Sequence, residues 1–340
     1  MLPLSALDVL RLLDLALTAR AEFFAPKHEA AFRLFNGFYE GCPDLVVDVY
    51  ARTLVLHDYA DAPIEAAERT HRMTTLHDFV RAQLPWLQAV LWKQHRSPSL
   101  TDRQGILLYG ERLDRHIREH GVRYALDLQM HGDASFYLDT RNLRAWALQH
   151  LTDKSVLNTF AYTGSLGVAA TAAGASRVVH LDLNRSFLHL AKDSYSLNGF
   201  PIRKADFQAG DFWTHVSVLK RHGERFDCVF LDPPFFSATS RGTVDLVTQS
   251  HRMINKVRPL VNDGGYLIAI NNALFVSGAS YLQLLEELCG DGYLSIEELI
   301  PVPSDCTGYP HTIVSTPPVD PAPFNHPTKT VALRVRRKKG

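Results

Sequence analysis

Residues 156–167 read VLNTFAYTGSLG, which is a short apolar strand, a glycine-containing turn and the beginning of a helix. Further apolar strands and amphipathic helices alternate from about residue 136 to residue 335. Strands that are apolar along their whole length and separated by helices are typical of a sheet covered on both faces. The sequence therefore predicts an α/β fold with a doubly wound, mostly parallel sheet. The turn at 156–167 lies at the carboxyl edge of that sheet, where such folds bind ligands.

Three regions are predicted along the chain. Residues 1–29 hold an N-terminal helix over 5–23 with Ser5 as its cap, and residues 30–130 form a small α+β domain. Residues 131–340 form the doubly wound domain. The helices predicted in that domain cover 140–151, 166–173, 186–197, 244–261 and 281–288. The predicted strands cover 156–160, 178–181, 203–207, 228–231, 266–270, 296–302 and 330–335.

The composition is that of a globular protein. Of the 340 residues 46% are apolar, which is enough to offset the entropy lost on folding and excludes a disordered chain. No run approaches the roughly 18 apolar residues that a membrane span needs. The N-terminus lacks the basic region and cleavage site of a signal peptide, so we expect a cytoplasmic protein. Because 36 Lys+Arg balance 36 Asp+Glu, binding of nucleic acid by overall charge alone is not expected.

Neither the cysteines nor the histidines follow the spacing of a metal or disulfide site. The four cysteines (Cys42, Cys228, Cys289 and Cys306) are far apart and form no CxxC pair, which fits a reducing compartment. The 16 histidines include no HExxH pattern, so we predict no metal. Cys228 lies inside an apolar strand and is predicted to be a core residue. Cys306 remains a candidate for a reactive thiol.

An acidic residue ends the second strand of the doubly wound domain. Asp182 follows Gly164 by eighteen positions, where a carboxylate can accept hydrogen bonds from both ribose hydroxyls. A dinucleotide would need a GxGxxG turn, but the aligned positions are Tyr162, Gly164 and Gly167. A bulky tyrosine crowds a diphosphate, whereas S-adenosylmethionine has no phosphate, so the methyl donor is favoured. On this turn alone, a ligand-free sheet with Asp182 as a helix cap is about equally plausible.

A second candidate site follows the predicted strand at 228–231. Residues 232–236 read DPPFF, and the two prolines stiffen the loop and expose the backbone carbonyls before them. Asp232 can accept hydrogen bonds from an amine, and Phe235 offers a face on which a planar base can stack for about 1–3 kcal/mol. The alternative is a simple strand-ending turn with buried phenylalanines.

Several motifs, taken in their order along the chain, resemble those of a known family. They are residues 136–141, 158–165, 174–176, Asp182, 197–199 and 232–236. Together they are similar to class I S-adenosylmethionine-dependent methyltransferases, and most similar to the bacterial large-subunit ribosomal RNA methyltransferase I/K group over about residues 118–290. The resemblance implies a Rossmann-like methyltransferase domain preceded by a small α+β domain. We expect no PUA domain like that of the I branch and no THUMP-containing half like that of the K branch. Residues 305–330 resemble neither branch.

The resemblance also implies roles for individual residues, grouped here by the contact expected of each. They are Tyr137, Asp139 and Arg141 at the methionine end of the donor; Asn158, Phe160, Tyr162 and Gly164 in the donor turn; Asp182 at the ribose; Asp211 and Phe212 at the adenine; and Asp232, Pro233 and Phe235 around the target.

The segment after the fifth strand bears on which atom is methylated. Methylation of a pyrimidine at C5 needs a cysteine, because a thiolate must add at C6. The I branch carries that cysteine after the fifth strand, but residues 269–274 read AINNAL. The K branch, which methylates guanine N7, carries Ser-Asn-Asn there, so Asn271 and Asn272 match it. We therefore predict methylation of a base nitrogen, guanine N7 first, with both asparagines orienting the base. A plain strand-end turn is an equally plausible reading of the two asparagines.

Ribosomal RNA is the predicted partner. Basic residues concentrate near the predicted domain junction and form either an RNA-binding face or an ordinary charged surface; they are Lys93, Arg96, Arg103, Arg112, Arg115 and Arg118. Three other readings remain open: a cytosine-C5 enzyme, an enzyme that methylates a protein or small molecule, and a module that binds RNA without catalysis. The sequence does not decide between a monomer and a homodimer.

Overall fold

The structure is a computed structural model that describes residues 6–61, 66–130, 134–239 and 242–337. The chain divides into two compact units. The first contains Met1–Leu138 and Pro303–Pro317, and the second contains Asp139–Val302 and Pro318–Gly340. Ser5, the predicted cap of the first helix, lies outside the described residues.

The first unit is built on a five-stranded mixed sheet. Its helices are α1 (Ala6–Ala19), α2 (Gly37–Glu40), α3 (Ala66–Gln83) and α4 (Leu100–Gln104), with a short turn of helix at Ser304–Thr307. Its strands are β1 (Ala31–Asn36), β2 (Leu45–Tyr50), β3 (Thr53–Asp58), β4 (Ala89–Gln94), β5 (Ile106–Tyr109), β6 (His116–Glu119) and β7 (Val122–Ala125). The sheet order is β1-β2-β3-β4-β5, in which only β3 and β4 pair in parallel, while β6 and β7 form a separate hairpin.

Alternation along these strands separates an apolar face from a polar one. In β2, Val47 and Val49 enter the same core as Leu13 of α1, whereas Asp48 points to the opposite face. There Asp48 accepts hydrogen bonds from the guanidinium of Arg33 in β1, with an Nε–Oδ1 distance of 2.9 Å. The pairing of Arg33 with Asp48 in the strand register satisfies the buried carboxylate.

The second unit contains a seven-stranded sheet. Its helices are α5 (Arg141–His150), α6 (Ser165–Ala172), α7 (Arg185–Leu197), α8 (Phe212–Arg221), α9 (Ser250–Val257) and α10 (Gly278–Cys289). Its strands are β8 (Ser155–Thr159), β9 (Arg177–Asp182), β10 (Phe207–Ala209), β11 (Phe226–Leu231), β12 (Phe236–Thr239), β13 (Gly242–Asp245), β14 (Val261–Asn271), β15 (Leu294–Ile300) and β16 (Lys329–Val335). The order is β10-β9-β8-β11-β14-β16-β15, parallel except for β16. The predicted doubly wound, mostly parallel sheet is confirmed.

Both faces of this sheet are covered, which explains why its strands are apolar at successive positions. Val229 enters the core that includes residues of α8, α9 and α10, whereas its neighbour Phe230 enters the core formed with α5 and α6. Cys228 is fully buried in that second core, as the sequence predicts. Within the described residues, no helix combines the length and the apolar character required to cross a membrane.

Two predicted elements are wrong. Residues 244–261 do not form one helix, because β13 covers Gly242–Asp245 and only Ser250–Val257 is α-helical before β14 begins. The Asp245 side chain accepts hydrogen bonds from the Val247 N–H and the Thr248 hydroxyl, and this local turn competes with helix. The strand predicted at 203–207 is largely a 3-10 turn at Lys204–Asp206 that leads into β10.

Residues 303–317 belong to the first unit and not, as the sequence predicts, to the doubly wound domain. Their anchor is a buried ion pair between Arg20 and Glu40, at 3.0 Å. Arg20 also donates to the Asp305 carbonyl, and the Thr312 hydroxyl donates to Glu40. The Asp305 carboxylate accepts the backbone N–H of Arg33 in β1. A buried pair of this kind is costly to break, so the segment is fixed on this sheet.

Candidate functional site

The turn after β8 has an unusual backbone. Phe160, Tyr162 and Gly164 all have positive φ, at 52°, 50° and 80°. Only glycine adopts this region freely, so the two aromatic residues are held there by their surroundings. One restraint is the hydrogen bond from the Tyr162 N–H to the carboxylate of Asp182, at 2.8 Å. The turn is thereby fixed against the end of β9.

Asp182 ends β9 and holds two backbone segments together. Its Oδ2 accepts from Tyr162, and its Oδ1 accepts from the Asn184 N–H at 2.8 Å. Burial raises the pKa of Asp182, and these two N–H groups oppose that rise by favouring the carboxylate. Each carboxylate oxygen has two lone pairs, so each can accept a second hydrogen bond. Such a carboxylate fits the paired hydroxyls of a ribose.

Close packing against neighbouring side chains explains why residues 164 and 167 are glycines. A Cβ at Gly164 would lie 2.6 Å from the Cβ of Ala191 in α7, and one at Gly167 would lie 2.3 Å from Cε1 of His180. Packing alone therefore accounts for Gly164 and Gly167. His180 donates to or accepts from Tyr195, with Nε2 and Oη 3.0 Å apart. Burial lowers the pKa of His180 to about 3, so its ring is neutral at ordinary pH.

Replacing Gly167 with alanine is expected to destabilise the second unit by about 1–2 kcal/mol, because overpacking against His180 outweighs the better helix propensity of alanine. The His180 ring stacks on Phe207 at 4.9 Å and has little room to move. Urea unfolding measures the change. In a His180→Ala background the same substitution should cost nothing, and an equal cost in both backgrounds contradicts the packing argument.

The aromatic side chains near the turn pack on the helices that follow. The Phe160 ring stacks on Phe212 of α8 with centroids 4.6 Å apart, and the Tyr162 ring contacts Phe187 of α7 edge-on at 4.6 Å. Asn158 is buried within β8 and lies against His180, with Nδ2 3.5 Å from Nδ1. Packing within the protein thus accounts for Asn158, and its predicted donor contact stays a prediction.

The end of β9 and the start of α8 form one side of the site. Asp211 caps α8, because its Oδ1 accepts from the Thr214 N–H at 3.0 Å. Its predicted contact with an adenine stays a prediction beside this capping role. Sequence reasoning missed Leu183, which directly follows Asp182 and is 65% exposed. An apolar side chain exposed beside Asp182, which is predicted to bind a ribose, suits the face of a base.

Two carboxyl groups lie near each other at the end of β11. Burial and the charge of Asp139 raise the pKa of Asp232 to about 7. Asp139 itself accepts a hydrogen bond from the Thr328 hydroxyl at 3.0 Å. A buried carboxyl group whose proton affinity is raised by a neighbouring carboxylate favours a cation beside it. The sulfonium and amino groups of S-adenosylmethionine are such cations, so the carboxyl groups of Asp139 and Asp232 fit the predicted cofactor.

The loop after Asp232 presents aromatic rings to solvent. Phe235 is 47% exposed and Phe236 is 60% exposed, so the alternative of a turn with buried phenylalanines is wrong. Phe236 begins β12, and the Phe235 carbonyl accepts the Leu246 N–H at 3.1 Å, which closes the β12–β13 hairpin. Pro233 contributes its carbonyl, which lies 3.5 Å from Nδ2 of Asn272.

The two predicted asparagines differ in their surroundings. Asn271 is buried, and its Nδ2 donates to the Leu246 carbonyl and to Ser250 Oγ while its Oδ1 accepts the Ala273 N–H. Its amide therefore holds the base of the β12–β13 hairpin, and the structure gives it a structural role instead of the predicted one. Asn272 is exposed at the edge of the sheet, beside the Pro233 carbonyl. Only Asn272 remains a candidate to orient a base.

Sequence reasoning missed Lys329, the first residue of β16. It is fully buried opposite Asn271, and its Nζ donates to the carbonyls of Ala273 and Pro327. Burial lowers the pKa of Lys329 to about 8. The sequence signal for this residue was the lysine in TKTVAL (residues 328–333), since a charged residue in a central strand is uncommon. Lys329 fixes the backbone directly after Asn272.

Three remaining candidates lie elsewhere. Tyr137 belongs to the first unit and is 46% exposed. Arg141 is buried at the start of α5 in the second unit. The donor contacts of both stay predictions. Cys306 is fully buried in the first unit, with its carbonyl accepting from Asn36.

Across the described part of the chain, no three His, Cys, Asp or Glu side chains are grouped as a metal site requires.

Comparisons with known proteins identify the family to which the chain is similar. Residues 32–294 match a family model described as S-adenosylmethionine-dependent methyltransferase. A relative from Vibrio cholerae, named ribosomal RNA large subunit methyltransferase I, is 31% identical over 268 residues, which are 77% of this chain and 65% of the relative. The chain thus spans slightly less than two thirds of that relative's length.

Two solved structures have the same fold. One is a putative methyltransferase complexed with SAH, with a TM-score of 0.82 and 21% identity over 98% of this chain and 83% of that chain. The other is a putative SAM-dependent methyltransferase from Streptococcus mutans, with a TM-score of 0.79 and 20% identity over the same shares of the two chains.

Proposed function

We infer the function from one premise, that the chain belongs to the S-adenosylmethionine-dependent methyltransferase family. We propose that it transfers the donor's methyl group to a base of ribosomal RNA. One observation supports the proposal: Asp182 ends β9 and Asp232 directly follows β11, and these parallel strands flank β8, so both carboxylates lie along one sheet edge. We propose that Asp182 binds the ribose of the donor and that Asp232 binds its cationic end. The printed name of the Vibrio cholerae relative supports RNA as the acceptor.

The proposed target atom is a base nitrogen, with guanine N7 first. The bound donor supplies a methyl group on a sulfonium, and the sulfur keeps the electron pair when the methyl leaves. Guanine N7 attacks with a lone pair and carries no proton, so the site needs orientation and no general base. The segments 232–236 and 269–276 contain no cysteine, which removes the thiolate that cytosine C5 would need there. Asn272 and the exposed ring of Phe235 are the groups proposed to orient the base.

The function is tested with deuterated S-adenosylmethionine and large-subunit ribosomal RNA transcribed in vitro without modifications. Nucleoside mass spectrometry then identifies the labelled base. Labelled 7-methylguanosine supports the proposal as stated. Labelled 5-methylcytidine keeps the substrate and overturns the target atom. The absence of label, with donor binding measured separately, overturns RNA as the acceptor and points to a protein or small molecule.

Replacing Asn272 with alanine is expected to lower kcat about 10- to 100-fold, because a base held by an amide through hydrogen bonds loses about 1–3 kcal/mol of orientation energy. Donor affinity should not change. Steady-state kinetics and calorimetric titration with the donor measure the two quantities. Asn255 is an exposed asparagine in α9, and Asn255→Ala is the matched control. Unchanged turnover in Asn272→Ala removes the residue from the site.

A further inference from the structure

The turn after β14 presents an aromatic side chain to solvent. Phe275 is 68% exposed, more than any other phenylalanine in the described residues. It follows Asn272 by three positions and precedes Ser277, whose Oγ accepts the Ser280 N–H at 3.0 Å and caps α10. An apolar ring left in water forgoes the free energy that burial would supply, so a partner that covers it would bind favourably.

The backbone that carries Phe275 is fixed from several directions. Ala273 is fully buried, and its N–H donates to Asn271 Oδ1 at 2.9 Å. The Ala273 carbonyl accepts from Lys329 Nζ at 3.1 Å and from the Val276 N–H at 3.2 Å. A ring on such a turn is already in place, so little entropy is lost when a partner binds to it.

The loop after β11 lies directly beside this turn. Strands β11 and β14 pair in parallel, so their carboxyl ends lie next to each other. The side chain of Asn272 spans the two loops, with Nδ2 3.5 Å from the Pro233 carbonyl. Phe235, which is 47% exposed, and Phe275 thus belong to adjacent loops at the sheet edge that holds Asp232. Whatever accepts the donor's methyl group must approach this edge.

This edge is uncharged apart from Asp232. Residues 233–239 read PPFFSAT, and residues 264–285 contain no Asp, Glu, Lys or Arg. Phosphate groups are bound by Arg and Lys, which neither segment supplies. Exposed rings offer a face for a planar base, and every base has such a face. The chemistry of the two loops therefore suits the bases of an RNA and not its backbone.

The basic cluster predicted from the sequence is only partly correct as a second RNA contact. Lys93 is fully buried in β4, and Arg96 pairs with an aspartate. Arg103 and Arg118 donate to backbone carbonyls nearby in the chain. Four of the six predicted residues are therefore engaged within the protein, and the aromatic edge of the second unit is the better-supported contact.

We propose that the Phe275 ring stacks on a base next to the target base, and that the substrate presents both bases in an unpaired segment of the RNA. The proposal rests on the proposed function and deepens it by adding a second base-binding position. Phe235 is proposed to orient the target base, and Phe275 on the adjacent loop is left for a neighbour. Bases inside a helix are stacked on both sides, so they meet these rings only after leaving the stack.

The test measures transfer of the deuterated methyl group to unmodified large-subunit ribosomal RNA by Phe275 variants of the full chain. We expect Phe275→Ala to raise KM for the RNA about 10- to 100-fold, because the stacking of one base is lost. The value of kcat at saturating RNA should not change, since the lost contact is the same in the ground state and the transition state. Donor affinity, measured by calorimetric titration, should also stay at the wild-type level.

Two further variants separate stacking from general apolar contact. Phe275→Tyr keeps the planar ring and should keep the wild-type KM, whereas Phe275→Leu is apolar without a plane and should behave like the alanine variant. Ile202→Ala is the matched control, because Ile202 is 40% exposed in the segment that leads into β10, at the amino edge of the sheet. In filter binding between about 50 and 200 mM salt, the slope of log K against log salt should be the same in Phe275→Ala and the wild type.

The outcomes distinguish this base-binding position from the proposed function. If the wild type methylates the RNA and either Phe275→Ala or Phe275→Leu has the wild-type KM, stacking on Phe275 is wrong and the proposed function stands. If Phe275→Ala methylates naked RNA normally but assembled ribosomal subunits poorly, the ring contacts a ribosomal protein and no base. If the wild type transfers no label to RNA, the proposed function fails and this position fails with it.

Discussion

Replacing Asp182 with alanine is expected to weaken binding of S-adenosylmethionine about 100-fold or more. Hydrogen bonds to a charged group contribute roughly 1.5–3 kcal/mol each, and the proposed site makes two of them to the ribose. The substitution also releases the N–H groups of Tyr162 and Asn184, so the turn loses its restraint. Both effects act on the donor and neither acts on the acceptor. Calorimetric titration with S-adenosylmethionine and with S-adenosylhomocysteine measures the loss.

The variant Asp182→Asn separates charge from shape. An amide matches the carboxylate in size, but its NH₂ group would face either Tyr162 N–H or Asn184 N–H, and both of these are donors. It should therefore bind the donor almost as poorly as the alanine variant. Asp206→Ala is the matched control, since Asp206 is an acid of the same unit that pairs with Arg177. Donor affinity at the wild-type level in Asp182→Ala would falsify the assignment of the ribose site.

The fold of the second unit was predictable because the apolar pattern of each strand lies within a few consecutive residues. Residues such as Val229 and Phe230 face two different cores, so the strand must be apolar at consecutive positions, and this is visible in the sequence. The place of β16 was not predictable. It inserts antiparallel between β14 and β15, and β15 precedes it by about 29 residues of chain, a pairing that no local pattern encodes.

The strand-end acids of the site followed from the same logic. Asp182 ends β9 and Asp232 follows β11, and parallel strands bring their carboxyl ends to one edge whatever the details of packing. The two asparagines show where this logic stops. Neighbouring residues at a strand end point to opposite sides, so Asn271 enters the core while Asn272 reaches the edge. A one-residue difference in register decides which asparagine side chain is exposed at the sheet edge, and no local sequence pattern reveals that register.

Hairpin β12–β13 was missed for a related reason. Its residues 236–245 include Phe236 and Val244 without regular alternation, so no strand period is visible there. The hairpin is held by contacts distant in sequence, above all the hydrogen bond from Asn271 to the Leu246 carbonyl. Lys329 acts in the same way on the Asn272 turn through the Ala273 carbonyl. Such supports become visible only when the strands are paired.

Replacing Asp232 with asparagine is expected to abolish most methyl transfer while stabilising the protein at pH 8. The pKa of Asp232 is raised to about 7, whereas an unfolded aspartate titrates near 3.9. A group whose pKa is raised by folding stabilises the protein fully below the unfolded pKa. That contribution is lost as the pH rises through the folded pKa. Wild-type stability should therefore decline between about pH 4 and pH 7, and the variant should not share this decline.

The advantage of Asp232→Asn should grow over that interval to about 4 kcal/mol, at roughly 1.4 kcal/mol for each of about three pKa units, and stay constant above pH 7. Urea unfolding at pH 4, 6 and 8 measures it. Thr328→Val provides a control, because it removes the hydrogen bond to Asp139 while leaving both carboxyls in place, so the pH dependence should remain. An unfolding profile for Asp232→Asn parallel to the wild type would show that this carboxyl titrates normally and that Asp139 does not act on it.

The same titration should govern donor affinity. A cationic donor binds better when Asp232 is ionised, so wild-type affinity for S-adenosylmethionine should rise as the pH passes through 7. S-adenosylhomocysteine lacks the sulfonium charge, so its affinity should change less over the same range. Asp139→Asn removes the neighbouring charge and should move the transition to lower pH, because burial alone then raises the pKa of Asp232. A carboxyl pair that destabilises the free protein at working pH and is relieved by a cationic ligand is the arrangement expected of a donor site.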